Sequence, residues 1–165
     1  MYDARDLANL MLDLADERSF SLGNLDLNRL LFFLNGNYLS EFGCDLVDDD
    51  FVACADGPKI RNVFNAFSSS GARIVGCRAM RFDPFKEEYF YVQYSFPVAI
   101  VDYCAFILIA FCLGGYQSSY TNHERTQTFC QRILEQDNEG VFPQSVIPSA
   151  MIASYFNKLK LGVSA

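Results

Sequence analysis

Leu25-Asp26-Leu27-Asn28-Arg29-Leu30-Leu31-Phe32-Phe33-Leu34-Asn35-Gly36-Asn37-Tyr38-Leu39 is the stretch on which the fold turns. Leu27, Leu30, Leu31, Leu34 and Tyr38 recur at helical spacing, and Phe32 and Phe33 widen the apolar stripe around the cylinder. A helix apolar on most of its circumference must be packed by neighbours on several faces. This one is expected to be central. Asn24 is placed to cap its start, and Gly43 to end it in the left-handed conformation that glycine accepts without strain.

Working outward, Leu7, Leu10, Met11 and Leu14 fall at i, i+3, i+4 and i+7, with Asp3, Asp6 and Asp13 elsewhere on the wheel. That pattern predicts an amphipathic helix whose early acids suit the positive end of its dipole. Residues 44–56 read as an acidic loop followed by a short extended piece. Gly57-Pro58 punctuates it, with Pro58 at the first turn of a helix carrying Ile60, Val63, Phe64 and Phe67. Two β-leaning runs, Arg73 to Cys77 and Tyr89 to Tyr94, flank Asp83-Pro84 and predict a small hairpin or sheet.

Val98 to Leu113 is almost wholly apolar and is closed by Gly114-Gly115. It is shorter than the ~20 residues a bilayer span needs, and it contains Asp102 with no basic flank outside. A buried core helix is therefore expected rather than a membrane span. Thr121 is placed to cap a polar helix running to about Asp137. After a proline-containing loop at 141–148, a last helix bears Met151, Ile152, Tyr155, Phe156 and Leu159. The expected architecture is mainly α: one domain over 1–165, a helical bundle around a buried apolar helix with a small β-hairpin or sheet.

The 165 residues are 51% hydrophobic and 20% charged, which excludes a disordered or low-complexity chain. The net charge of −7 supplies no basic surplus for neutralising phosphates, so direct nucleic-acid binding is not expected. The imbalance is concentrated in residues 1–60, which hold twelve acids and four bases. The six cysteines include no CxxC pair and the one histidine is His123, so neither a zinc site nor a Cys/His catalytic pair is expected. With no secretory leader pattern at the N-terminus, a reduced, cytoplasmic protein is expected. No glycine-flanked nucleophile or phosphate-binding glycine loop is present, and Asp48-Asp49-Asp50 lacks the alternating ligands of a calcium loop. From its chemistry the chain reads as a protein that binds another protein, without catalysis, cofactor or metal.

The helix quoted above, the box Phe51-Val52-Ala53-Cys54-Ala55-Asp56-Gly57-Pro58-Lys59, and the following Val63-Phe64-Asn65-Ala66-Phe67 occur in that order. Together with the opening Tyr2-Asp3-Ala4-Arg5-Asp6-Leu7-Ala8 and the closing Ile147-Pro148 through Tyr155-Phe156, they resemble the Panacea domain family of SocA-like and GepA-like phage-associated proteins. The likeness runs over about residues 2–156. There are departures. The family's Gln-Lys pair on the second helix is Asn28-Arg29 here, and the Trp, Tyr and Val of its W-x-Y-G-P-V box are Cys54, Asp56 and Lys59. The resemblance implies an antitoxin that neutralises a toxin encoded beside it, in some members by delivering that toxin to a protease.

The contact face is expected around the Gly57-Pro58 turn, flanked by Asp56, Lys59 and Arg61, together with Asp45, Asp48, Asp49 and Asp50 of the acidic loop. A rigid turn presents its neighbouring side chains at little entropic cost. Carboxylates arrayed like phosphates also leave open a second partner class, a host defence nuclease complex whose nucleic-acid site the acidic end would occupy, as an anti-CRISPR inhibitor does.

Overall fold

The computed structural model describes residues 1–91, 95–113, 119–138 and 145–160, with side chains of the fifth helix described from 124 to 136. Six α-helices and two antiparallel two-stranded sheets make up the described residues, in the order α1 (Ala4–Glu17), α2 (Asn24–Phe42), β1 (Phe51–Cys54), β2 (Gly57–Ile60), α3 (Arg61–Ala66), β3 (Met80–Asp83), β4 (Glu88–Tyr91), α4 (Val98–Leu113), α5 (Ser119–Asn138) and α6 (Ser149–Lys160). The fold is mainly α.

α2 is the centre. Leu27, Leu30, Leu31, Phe32 and Leu34 are fully buried, and α1, α3, α4, α6 and β2 all pack against this one helix. Phe32 is the hub: its ring lies 5.4 Å from those of both Phe51 on β1 and Phe156 on α6, in tilted or edge-on geometry. Such pairs contribute beyond their buried area. The cap of α2 lies one residue before the Asn24 expected for it. Gly23 is the cap, its N–H donating to the Asp26 carboxylate at 3.4 Å, while Asn24 turns inward and donates to the Phe64 carbonyl. Gly43 ends the helix at φ 75°, as its position requires.

α1 buries Leu7, Leu10, Met11 and Leu14 as its periodicity dictates, and Asp3 caps it by accepting from the Arg5 N–H. Buried Asn9 docks the chain before β3 onto α1 through a reciprocal pair, donating to the Ala79 carbonyl at 3.0 Å and accepting from the Ala79 N–H at 2.7 Å. The second hairpin has the expected Asp83-Pro84 corner, and its second strand, Glu88–Tyr91, covers the start of the expected Tyr89–Tyr94 run, whose residues 92–94 lie outside the described residues; its first strand is Met80–Asp83 rather than Arg73–Cys77. Asp83 sets that corner by accepting from the Phe85 and Lys86 N–H groups. Pro58 likewise lies on β2 rather than in a helix, and α3 begins at Arg61. The hairpin wins because Pro58 needs no N–H where it pairs with Ala53.

α4 forms over the expected residues but is not wrapped on all sides. Cys104, Ile107 and Leu108 are buried against the molecule, while Val98, Phe106 and Leu113 are more than half exposed. Uniform apolarity allows burial of any face and marks none, so its neighbours α1 and α2 decide which side is covered. Among the described residues no helix is long and apolar enough to cross a membrane.

Candidate protein-binding surface

The β1–β2 hairpin pairs Phe51 with Ile60 and Cys54 with Gly57, leaving Ala55 and Asp56 as its two-residue tip. At about 3.3 Å per residue, its four-residue strands separate the tip from the open end by roughly 10 Å. The nominated residues therefore divide between two ends of one hairpin.

At the tip, Asp56 and Lys59 are joined to each other, Nζ to Oδ1 at 2.8 Å. Lys59 also stacks 4.2 Å over the Phe64 ring and is only 14% exposed. The tip backbone is clamped from two helices: Arg29 of α2 donates to the Asp56 carbonyl at 2.9 Å, and Gln127 of α5 donates to the Ala55 carbonyl at 3.0 Å. Gly57 adopts φ 120°, a conformation that side-chain-bearing residues rarely take. The tip is rigid. Its ion pair is spent largely on itself.

At the open end, Asp49, Asp50, Arg61 and Asn62 rim a groove of about 220 Å³ floored by Val52 and Ile60. Asp49 is a positioning group as much as a surface charge. Its Oδ2 accepts from the Ala4 N–H at the start of α1 and its Oδ1 from the Asn62 amide at 2.8 Å. Asp45 turns to α2, where it accepts from Asn35 at 2.8 Å. Asp48 and Asp50 are the exposed carboxylates of the loop, and Arg61 is exposed beside them. The arrangement therefore presents Asp50 and Arg61 on the rim of a shallow groove, with Asp48 exposed on the same loop and Asp49 and Asp45 holding that loop in place.

Sequence reasoning did not nominate the residues that fix this surface. Asn35, fully inside, accepts the N–H groups of Leu46 and Val47 at 2.8 and 3.0 Å, and so pins the loop to α2. Asn28 accepts the Ile60 N–H at 2.9 Å and does the same for β2. Asn28-Arg29, visible in the sequence as a departure, was the signal. Two amide-bearing side chains inside an otherwise apolar helix must meet polar partners somewhere.

Two thiols, Cys54 and Cys130, meet at the hairpin. Cys130 of α5 shares a hydrogen bond with the Cys54 backbone, and burial pushes its thiol up to about 12. Burial likewise raises the Cys54 thiol. Among the described residues no group of three His, Cys, Asp or Glu side chains is placed to hold a metal ion. The side chain of His123 lies outside the described residues.

Over 81 residues, 49% of its length, the chain is 38% identical to Antitoxin SocA of Caulobacter vibrioides (strain NA1000 / CB15N). The matched stretch is 43% of that relative, so the chain spans less than half the length of the curated protein it matches. No family model matches the chain, and no solved structure matches it.

Proposed function

We propose that this chain is a non-catalytic antitoxin of the SocA-like, Panacea type, acting in the cytoplasm as one domain by binding and neutralising a toxin encoded beside it. The observation that carries the reading is the 38% identity to an antitoxin over half of the chain. The surface supports it. A clamped hairpin and a pinned loop present exposed charges with little conformational entropy left to lose, which favours a specific protein contact. Asp48, Asp50 and Arg61 are the residues proposed to meet the partner first, with the Asp56–Lys59 pair at the far end of the same hairpin.

Co-expression with the product of the adjacent gene tests this. The expected result is that the neighbour arrests growth alone, that this chain restores growth, and that the two co-purify. Absence of both a complex and a rescue would overturn it. The half-life of the toxin with and without the chain then separates blocking from delivery to a protease.

The second reading, an inhibitor seated in the nucleic-acid site of a host defence nuclease, draws on the surplus of acids in residues 1–60. It has less to work with on this surface, because Asp45, Asp49 and Asp56 are engaged by Asn35, Ala4 and Lys59 and leave Asp48 and Asp50 as the outward carboxylates of the face. Protection of a nuclease's guide or target strand by the chain would support that reading over the first.

A further inference from the structure

The uncovered side of α4 is ordered along the helix. Ala99, Asp102, Phe106, Ile109 and Leu113 are all exposed and follow one another at spacings of three, four, three and four. That is the a/d rhythm of a two-helix seam, the pattern by which one helix receives another with knobs in holes. On a helix of 16 residues, rising 1.5 Å per residue, the seam is about 24 Å long. Its buried side, Cys104, Ile107 and Leu108, already faces the core, so the seam is a second packing surface on the same helix.

One position in the seam is charged. Asp102 sits among apolar neighbours, and among the described residues no cation stands against it. A charge in a helix seam specifies its partner, because an apolar or like-charged residue opposite would leave a carboxylate desolvated and unpaired. A second copy of this chain meets that difficulty in both orientations. Parallel pairing sets Asp102 against Asp102, and antiparallel pairing about Phe106 and Ile109 sets it against Leu113.

We propose that the outward face of α4 docks an amphipathic helix of a partner protein that carries apolar residues along its own seam and one Lys or Arg opposite Asp102. The site is on a different element from the acidic loop and the β1–β2 hairpin, and the proposal does not depend on the partner being a toxin. Phe106, Ile109 and Leu113 supply the apolar contact, and Asp102 sets register and choice of partner.

The test uses the full chain and two synthetic helices of about three heptads, with leucine at the a and d positions and a single seam Lys in one, Glu in the other. Fluorescence anisotropy should show the Lys helix binding about tenfold more tightly than the Glu helix. Asp102→Lys should invert that preference. Phe106→Glu, a substitution at an exposed site, should abolish binding of both while leaving the melting temperature within a few degrees. Failure of both helices to bind, equal binding of the two, or loss of binding without inversion in the Asp102→Lys variant would overturn the proposal. So would a dimer in light scattering that Phe106→Glu converts to monomer, because a second copy would then be the occupant.

Discussion

Asn35 and Asp45 face each other at 2.8 Å, the amide inside the central helix α2 and the carboxylate on the loop that α2 holds in place. The same amide accepts the Leu46 and Val47 N–H groups. Asn35→Ala leaves two buried donors and one carboxylate without their partner. At about 1–3 kcal/mol for each buried group left unsatisfied, the variant should lose roughly 3 kcal/mol in urea unfolding. Hydrogen exchange should accelerate first at Leu46 and Val47.

Gly36, one residue on, sits beneath the ring of Phe156: a Cβ added there would lie 2.0 Å from a ring carbon. Alanine normally gains up to about 1 kcal/mol over glycine inside a helix. Here the ring is buried between α2 and α6 and cannot retreat freely, so overpacking at about 1–3 kcal/mol wins. Gly36→Ala should be destabilising in thermal melts, and adding Phe156→Leu should recover part of the loss. Strict additivity of the two changes would show that they do not meet.

Burial alone would raise the Asp3 carboxyl. The hydrogen bonds from the Arg5 side chain and N–H, with the charges of Arg5 and Arg81, carry it below the usual carboxylate value instead. A group whose pKa is lowered by folding stabilises the fold fully above its unfolded value, about 4, and loses that contribution as the pH falls through its folded value. Asp3→Asn keeps a capping side chain and removes the charge. The variant should be less stable than the parent by about 1 kcal/mol or less at pH 7. The two unfolding curves should converge as the pH falls through the lowered folded value of Asp3; a gap that persists into strong acid would assign the effect to packing.

The thiols should divide by burial. Cys44 and Cys77 are exposed, whereas Cys104 and Cys130 are inside, each pushed up to about 12 by desolvation. Ellman's reagent at pH 8 should label Cys44 and Cys77 in the folded protein and reach Cys104 and Cys130 only in denaturant. Prompt labelling of Cys130 would mean that α5 opens away from β1.

What could be read in the sequence follows from what repeats there. The stripe from Leu27 to Tyr38, the face from Leu7 to Leu14 and the Ile152–Phe156 face of α6 are periodic, and periodicity survives folding because it is the burial pattern itself. Gly43 was legible because only one backbone conformation calls for it. The outward side of α4 was not legible, since nothing in an unbroken apolar run distinguishes the covered face from the open one. The strand at Met80 was missed because Asn9, more than seventy residues earlier on the scale of this chain, fixes where that strand docks. At the candidate surface, composition located the charges, but only three-dimensional pairing separates outward Asp48 and Asp50 from the engaged Asp45, Asp49 and Asp56.

In the proposed function this chain binds a protein through the pinned acidic loop and the clamped hairpin. Calorimetric titration of the purified product of the adjacent gene, the proposed toxin, into the parent chain and into the Asp48→Lys/Asp50→Lys variant tests this most directly. Both substitutions are at exposed positions and should leave the melting temperature within a few degrees. A stoichiometric complex is expected with the parent and at least about tenfold weaker binding by the variant, a difference of about 1.4 kcal/mol. Equal affinity for the two chains, with both folded, would contradict it.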